Sequence, residues 1–132
     1  MTDINHLAVI TAAVSAFIIG GLWYAPPVFG KAWQRAAGLS DQQLAGGNPA
    51  KIFGGGFILS LIAAYVFAMF LGPKPALGFA LGAGFSAGLC WVATSFGISY
   101  LFERRNGKLF LINGGYHTLQ FTLFGLVLGL WH

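Results

Sequence analysis

Charge is what this sequence has least of. Only three Asp or Glu and seven Lys or Arg occur in 132 residues, so charged side chains make up 8% of the chain, against roughly 25% in an ordinary soluble domain. So few charges cannot coat a water-soluble globule, and the apolar surplus would leave exposed patches far larger than soluble monomers tolerate. The three acids, Asp3, Asp41 and Glu103, all lie outside or at the ends of apolar runs. That removes the paired carboxylates many intramembrane hydrolases need. A single cysteine, Cys90, excludes an intrachain disulfide. Three histidines, two of them at His6 and His132 near the chain ends with Asp3 and Asn5, are too few and too far apart for a zinc site of three or four ligands. No metal and no cofactor is expected.

What is present is apolar: 57% hydrophobic side chains and a mean hydropathy of +0.75. A membrane-crossing helix takes about 20 mostly apolar residues, and four runs of that kind cover about 5–24, 52–71, 76–102 and 109–131. The expected fold is all-α, a single membrane domain over 1–132 built as a four-transmembrane-helix bundle. The opening run has Asp3 and no Lys or Arg ahead of it, and it runs into Trp23, Tyr24 and Pro26-Pro27 without a small-residue cleavage site. It reads as a retained span rather than a secretory signal.

The net charge of +4 does not point to nucleic acid, which needs a clustered basic patch on a soluble face. Lys31, Arg35 and Lys51 lie in the connector 25–51, and Arg104, Arg105 and Lys108 lie between the last two runs; Lys74 stands alone on the opposite side. Because basic residues mark cytoplasmic loops, both connectors are predicted to be cytoplasmic and both termini to lie outside.

Within the first connector, Val28, Phe29, Trp33, Ala36, Ala37 and Leu39 alternate with Lys31, Gln34 and Arg35. This predicts a short amphipathic helix, started by Pro26-Pro27 and ended by Gly46-Gly47-Asn48-Pro49, that anchors at the membrane interface. Trp23, Tyr24, Phe29, Trp33, Lys31 and Arg35 are its anchoring residues. Gly54-Gly55-Gly56 is expected to weaken the start of the second span. A short echo between Gly30-Lys31-Ala32-Trp33 and Gly107-Lys108-Leu109-Phe110 is too brief to define a repeat.

Helices in lipid associate through small residues. Gly78 and Gly82, Gly84 and Gly88, and Gly125 and Gly129 form three such pairs, predicted to bring the third and fourth spans together or to form an interface between copies. Polarity gathers in the inner half. Asn113, Tyr116, His117 and Gln120 share one face of the fourth span at i, i+3, i+4 and i+7, with His117 about 12 Å deep at 1.5 Å per residue. Ser15, Ser60, Thr94 and Ser95 reach nearly the same depth on the other spans, which predicts a polar layer. Such a layer is either a functional site, as deep polar groups often are, or structural glue between helices. Ser95 with His117 has the residue types of a nucleophilic pair, but no specific spacing, and no enzyme activity is expected.

The segment Gly21-Leu22-Trp23-Tyr24 with Pro27, Phe29, Gly30 and Trp33, followed by Asn113, Tyr116 and His117, resembles the small bacterial membrane proteins grouped as domain of unknown function 1761. The resemblance runs from Asn5 to Gly129-Leu130-Trp131. It implies a four-span protein of the bacterial inner membrane and supplies no activity. Two functional classes follow from the residues. One is a non-catalytic subunit, assembly or scaffold protein whose partners are the lipid bilayer and either further copies of itself or a larger membrane complex. The other is a small homo-oligomeric channel or transporter for a solute or proton, with its polar site around His117.

Overall fold

The computed structural model describes residues 4–132, which form helices and turns with no strand among them. Asp3 lies outside the described residues. Asn5 caps α1 (His6–Trp23) by accepting from the Ala8 amide at 3.1 Å. Pro26 then opens a π-helical turn, Pro26–Gly30, that leads into α2 (Lys31–Ala37). Gly38, at φ 75°, ends α2 in the left-handed conformation. Ser40 and Gln43 form a reciprocal capping box that starts α3 (Asp41–Ala45). The connector is thus two short helices rather than one.

Asn48 and Pro49 were expected to stop the connector helix. Instead Asn48 caps α4 (Pro49–Leu71) by accepting from the Lys51 amide, with Pro49 at its first position. The triple glycine 54–56 therefore lies inside α4. Gly72, at φ 77°, ends α4, and Lys74 adopts φ 50° in the turn that follows. The third apolar run forms a rod, Leu77–Glu103. It consists of α5 (Leu77–Ser86), a π-helical stretch Ala87–Ala93, and α6 (Thr94–Glu103). Arg104, at φ 58°, caps the rod, and Asn106 caps α7 (Gly107–Leu130).

The connector that carries α2 and α3, and the short turns after α4 and after the rod, make the long helices run alternately up and down. Three of them, α1, α4 and the rod, are long and apolar enough to cross a membrane. At 24 residues α7 is as long, but Asn113, Tyr116, His117, Thr118, Gln120 and Thr122 dilute its apolar character. It is nevertheless the central helix, touching α1, α2, α4 and every part of the rod. Polar residues concentrate on the helix that neighbours enclose.

The core lies between α1, α4 and α7. Ala8, Ala12, Ala13 and Ala16 let α1 approach closely, and Val9 and Phe124 are fully buried there. Phe67 meets Phe121 edge to face at 5.7 Å. Large apolar side chains cover the outside, among them Phe102 at 85% and Leu101 at 81% exposure.

Two of the three glycine pairs bring the rod and α7 together. A Cβ on Gly84 would strike the Phe121 carbonyl, and one on Gly88 would stand 2.6 Å from Thr118 Cα. A Cβ on Gly125 would strike the Ala80 carbonyl, and one on Gly129 would stand 3.0 Å from Leu77 Cα. Gly78 and Gly82 face outward with nothing within 4 Å.

Candidate functional site

The second to fourth turns of α7 carry the polar face read from the sequence, and each of its members has a partner. Asn113 joins three elements: its Oδ1 accepts from Tyr24 Oη at 2.6 Å, and its Nδ2 donates to Tyr100 Oη at 2.8 Å. Tyr116 Oη donates to the Ala16 carbonyl of α1 at 2.9 Å. Gly20 leaves the room this needs, since a Cβ there would stand 2.9 Å from that hydroxyl. Trp23 Nε1 donates to the Ile112 carbonyl at 3.0 Å, so the end of α1 is fastened to α7 twice.

One turn further along, His117 Nδ1 lies 2.7 Å from Gln120 Oε1, and Gln120 Nε2 donates to Ser60 Oγ of α4 at 3.2 Å. Gln120 and Ser60 are the buried polar residues, each 6% exposed. The amide oxygen can only accept, so in this arrangement the imidazole donates from Nδ1. Phe96 stacks on the imidazole at 5.0 Å and 15°, and Tyr116 meets it edge-on at 5.0 Å. No buried side-chain nitrogen or oxygen among the described residues lacks a partner.

The polar layer expected across four helices is therefore assembled in part. Ser60, His117 and Gln120 form one chain, while Asn113 and Tyr116 join a second group with Tyr24 and Tyr100. Thr94 and Ser95 stand apart: both are exposed, and their hydroxyls bond the Cys90 and Trp91 carbonyls of their own helix. Ser95 is thus not paired with His117. Ser15 is half-buried on α1, outside both groups.

Tyr24 donates a hydrogen bond to Asn113, and its ring meets Trp33 at 5.8 Å and Tyr116 at 5.5 Å. Trp33 of α2 faces this cluster, while Lys31 and Arg35 are exposed. Arg105 Nη1 donates to the Ala37 carbonyl at 3.3 Å, which ties the last turn of α2 to the turn before α7. Phe96 and Tyr100 were not singled out from the sequence. Their i, i+4 spacing beside Ala93 and Gly97 was the available signal, since small residues on one side of a helix mark the side a neighbour approaches.

At the other end of the bundle His6 Nδ1 lies 3.0 Å from Tyr65 Oη, and a shallow hollow there is lined by Asn5, Lys74, His132 and apolar side chains. Among the described residues no three His, Cys, Asp or Glu come together to hold a metal ion. Both polar groups on α7 consist of neutral donors and acceptors that cross-link helices. Comparison with curated proteins and with solved structures found no match. The family model for a protein of unknown function, DUF1761, matches residues 7–129, and the chain belongs to that family.

Proposed function

We propose that the chain is a four-span protein of the bacterial inner membrane, with the connector 25–51 and the turn before α7 in the cytoplasm, and the turn at Lys74 and both termini outside. It serves there as a non-catalytic subunit or scaffold of a membrane assembly. One observation carries this reading: the polar side chains of α7 are spent on holding neighbours, Asn113 on Tyr24 and Tyr100, Tyr116 on Ala16, and Gln120 on Ser60. So fastened, α7 forms one core with α1 and α4, while the outward surface stays apolar and free to meet other membrane helices. The basic residues Lys31, Arg35, Lys51, Arg104, Arg105 and Lys108 support the orientation.

The second reading is a small channel or transporter, favoured by His117, a titratable ring on the polar face of α7 that lies against the Phe96 ring. Gentle extraction from the native membrane distinguishes the two. The scaffold reading expects a stoichiometric assembly, and liposomes containing the protein that pass neither protons nor small solutes. Flux through the purified protein alone, lost in a folded His117→Ala variant, would overturn it. External labelling of Asn106→Cys in intact cells by a charged maleimide would overturn the orientation.

A further inference from the structure

The rod Leu77–Glu103 is held along α7 in two different ways. Its α5 half is pinned backbone to backbone by Gly84 on the Phe121 carbonyl and Gly125 on the Ala80 carbonyl, and the close contact runs on to Gly88, which meets the backbone at His117 and Thr118. The α6 half contains no buried residue. It rests on α7 mainly through rings: Phe96 flat on His117, Gly97 beside Phe110, and Tyr100 at the Asn113 amide.

Between the halves lies the π-helical stretch Ala87–Ala93, in which backbone bonds span five residues instead of four. Where this wider turn gives way to α6, Thr94 Oγ1 lies 2.6 Å from the Cys90 carbonyl and 3.1 Å from that of Trp91, and Ser95 Oγ donates to the Trp91 carbonyl at 2.6 Å. These hydroxyls hold the carbonyls whose backbone partners change at the junction. In apolar surroundings a carbonyl without a partner is costly, and side-chain hydroxyls are one of the ways helices meet that cost.

We propose that residues 89–93, the part of the π-helical stretch beyond the pinned Gly88, are the pivot of the rod, where the π turn converts to α-helix and α6 rotates as a unit while α5 and Gly88 stay pinned. Losing the extra residue of a π turn advances everything beyond it by one position, a rotation of about 100° with a rise of about 1.5 Å. On a helix about 10 to 12 Å across, an atom at the rim then moves by about 8 Å. That movement takes Phe96 off the His117 ring and Tyr100 off Asn113, opening both polar groups of α7. Thr94 and Ser95 keep the Cys90 and Trp91 carbonyls bonded while the backbone bonds exchange. The device turns the packed polar groups into a gated surface without unpacking the glycine-lined half.

The test uses spin-label distances in the full chain in lipid nanodiscs, in a Cys90→Ala background. One pair, Leu101→Cys with Leu111→Cys, reports on α6 against α7. A second pair, Phe79→Cys with Leu130→Cys, reports on the pinned half. All four positions are exposed. The pivot predicts two distances for the first pair and one for the second. Replacing both hydroxyls, Thr94→Val with Ser95→Ala, shifts the two populations of the first pair at least twofold and leaves the second pair unchanged; Thr94→Ser, which retains a hydroxyl, leaves both pairs as they were. A single distance for the first pair, two distances for the second, or populations indifferent to loss of both hydroxyls would overturn the proposal. The parent chain alone decides the first two outcomes, so the test does not depend on the folding of the double variant.

Discussion

Glycine to alanine substitution should have opposite effects on adjacent faces of α5, and the contrast tests the packing directly. At Gly82 the new Cβ has nothing within 4 Å. Alanine there gains its intrinsic advantage in a helix, up to about 1 kcal/mol. At Gly84 the same methyl group would run into the Phe121 carbonyl and stand 2.9 Å from its carbon. The obstacle is backbone that cannot rotate away, which sets the overpacking cost at the upper end of its usual range, about 3 kcal/mol. After subtracting the helix-propensity gain, Gly84→Ala is destabilised by about 2 kcal/mol. The gap between the two variants is then about 3 kcal/mol, roughly a hundredfold in the folding equilibrium. The assay is reversible unfolding in mixed micelles, followed by the fluorescence of the four tryptophans. The reasoning fails if Gly84→Ala is as stable as the parent, or if Gly82→Ala is the more damaging of the two.

Trp23→Phe removes the bond to the Ile112 carbonyl but keeps most of the ring, and should lower stability by about 0.5 to 1.5 kcal/mol in the same assay; an unchanged midpoint refutes a fastening role for the indole. A double-mutant cycle of Ser60→Ala and Gln120→Leu should give a coupling of about 0.6 kcal/mol, the average for a hydrogen bond between membrane helices, because their contact is a long 3.2 Å. Strictly additive effects would mean that α4 and α7 are not joined there. Arg104→Gly relieves a left-handed residue at φ 58° and should raise thermal stability by the equivalent of about 1 kcal/mol; a drop in the melting temperature would show that the arginine side chain matters more than its backbone.

The sequence by itself determined the helical class, because runs this long and apolar satisfy their backbone bonds best as helices. The helix ends are also set by local signals, Asn5, Ser40 and Asn106 as caps and Gly38 and Gly72 as turn glycines, although a reading of the connector as a single helix passes over Gly38 and Ser40. The polar face of α7 was legible for the same reason: Asn113, Tyr116, His117 and Gln120 share a side whatever lies beside them. One boundary was misread, since Asn48-Pro49 can end one helix or start the next, and only the course of the chain selects between them.

What covers each face is not a local property, and that the tertiary structure decided. Gly78-Gly82 and Gly84-Gly88 are equivalent as spacings, yet only the second pair meets α7. Thr94 and Ser95 reach the depth of His117 but turn outward, where their own carbonyls are their nearest acceptors. Tyr24 and Tyr100, more than seventy residues apart, meet through Asn113 because the antiparallel course brings both to the start of α7. The least apolar of the long helices is the central one for a physical reason: a Ser or Thr hydroxyl can fall back on a carbonyl of its own helix, whereas Asn113 and Gln120 find partners in Tyr24, Tyr100 and Ser60, so the helix that carries them is the one its neighbours enclose.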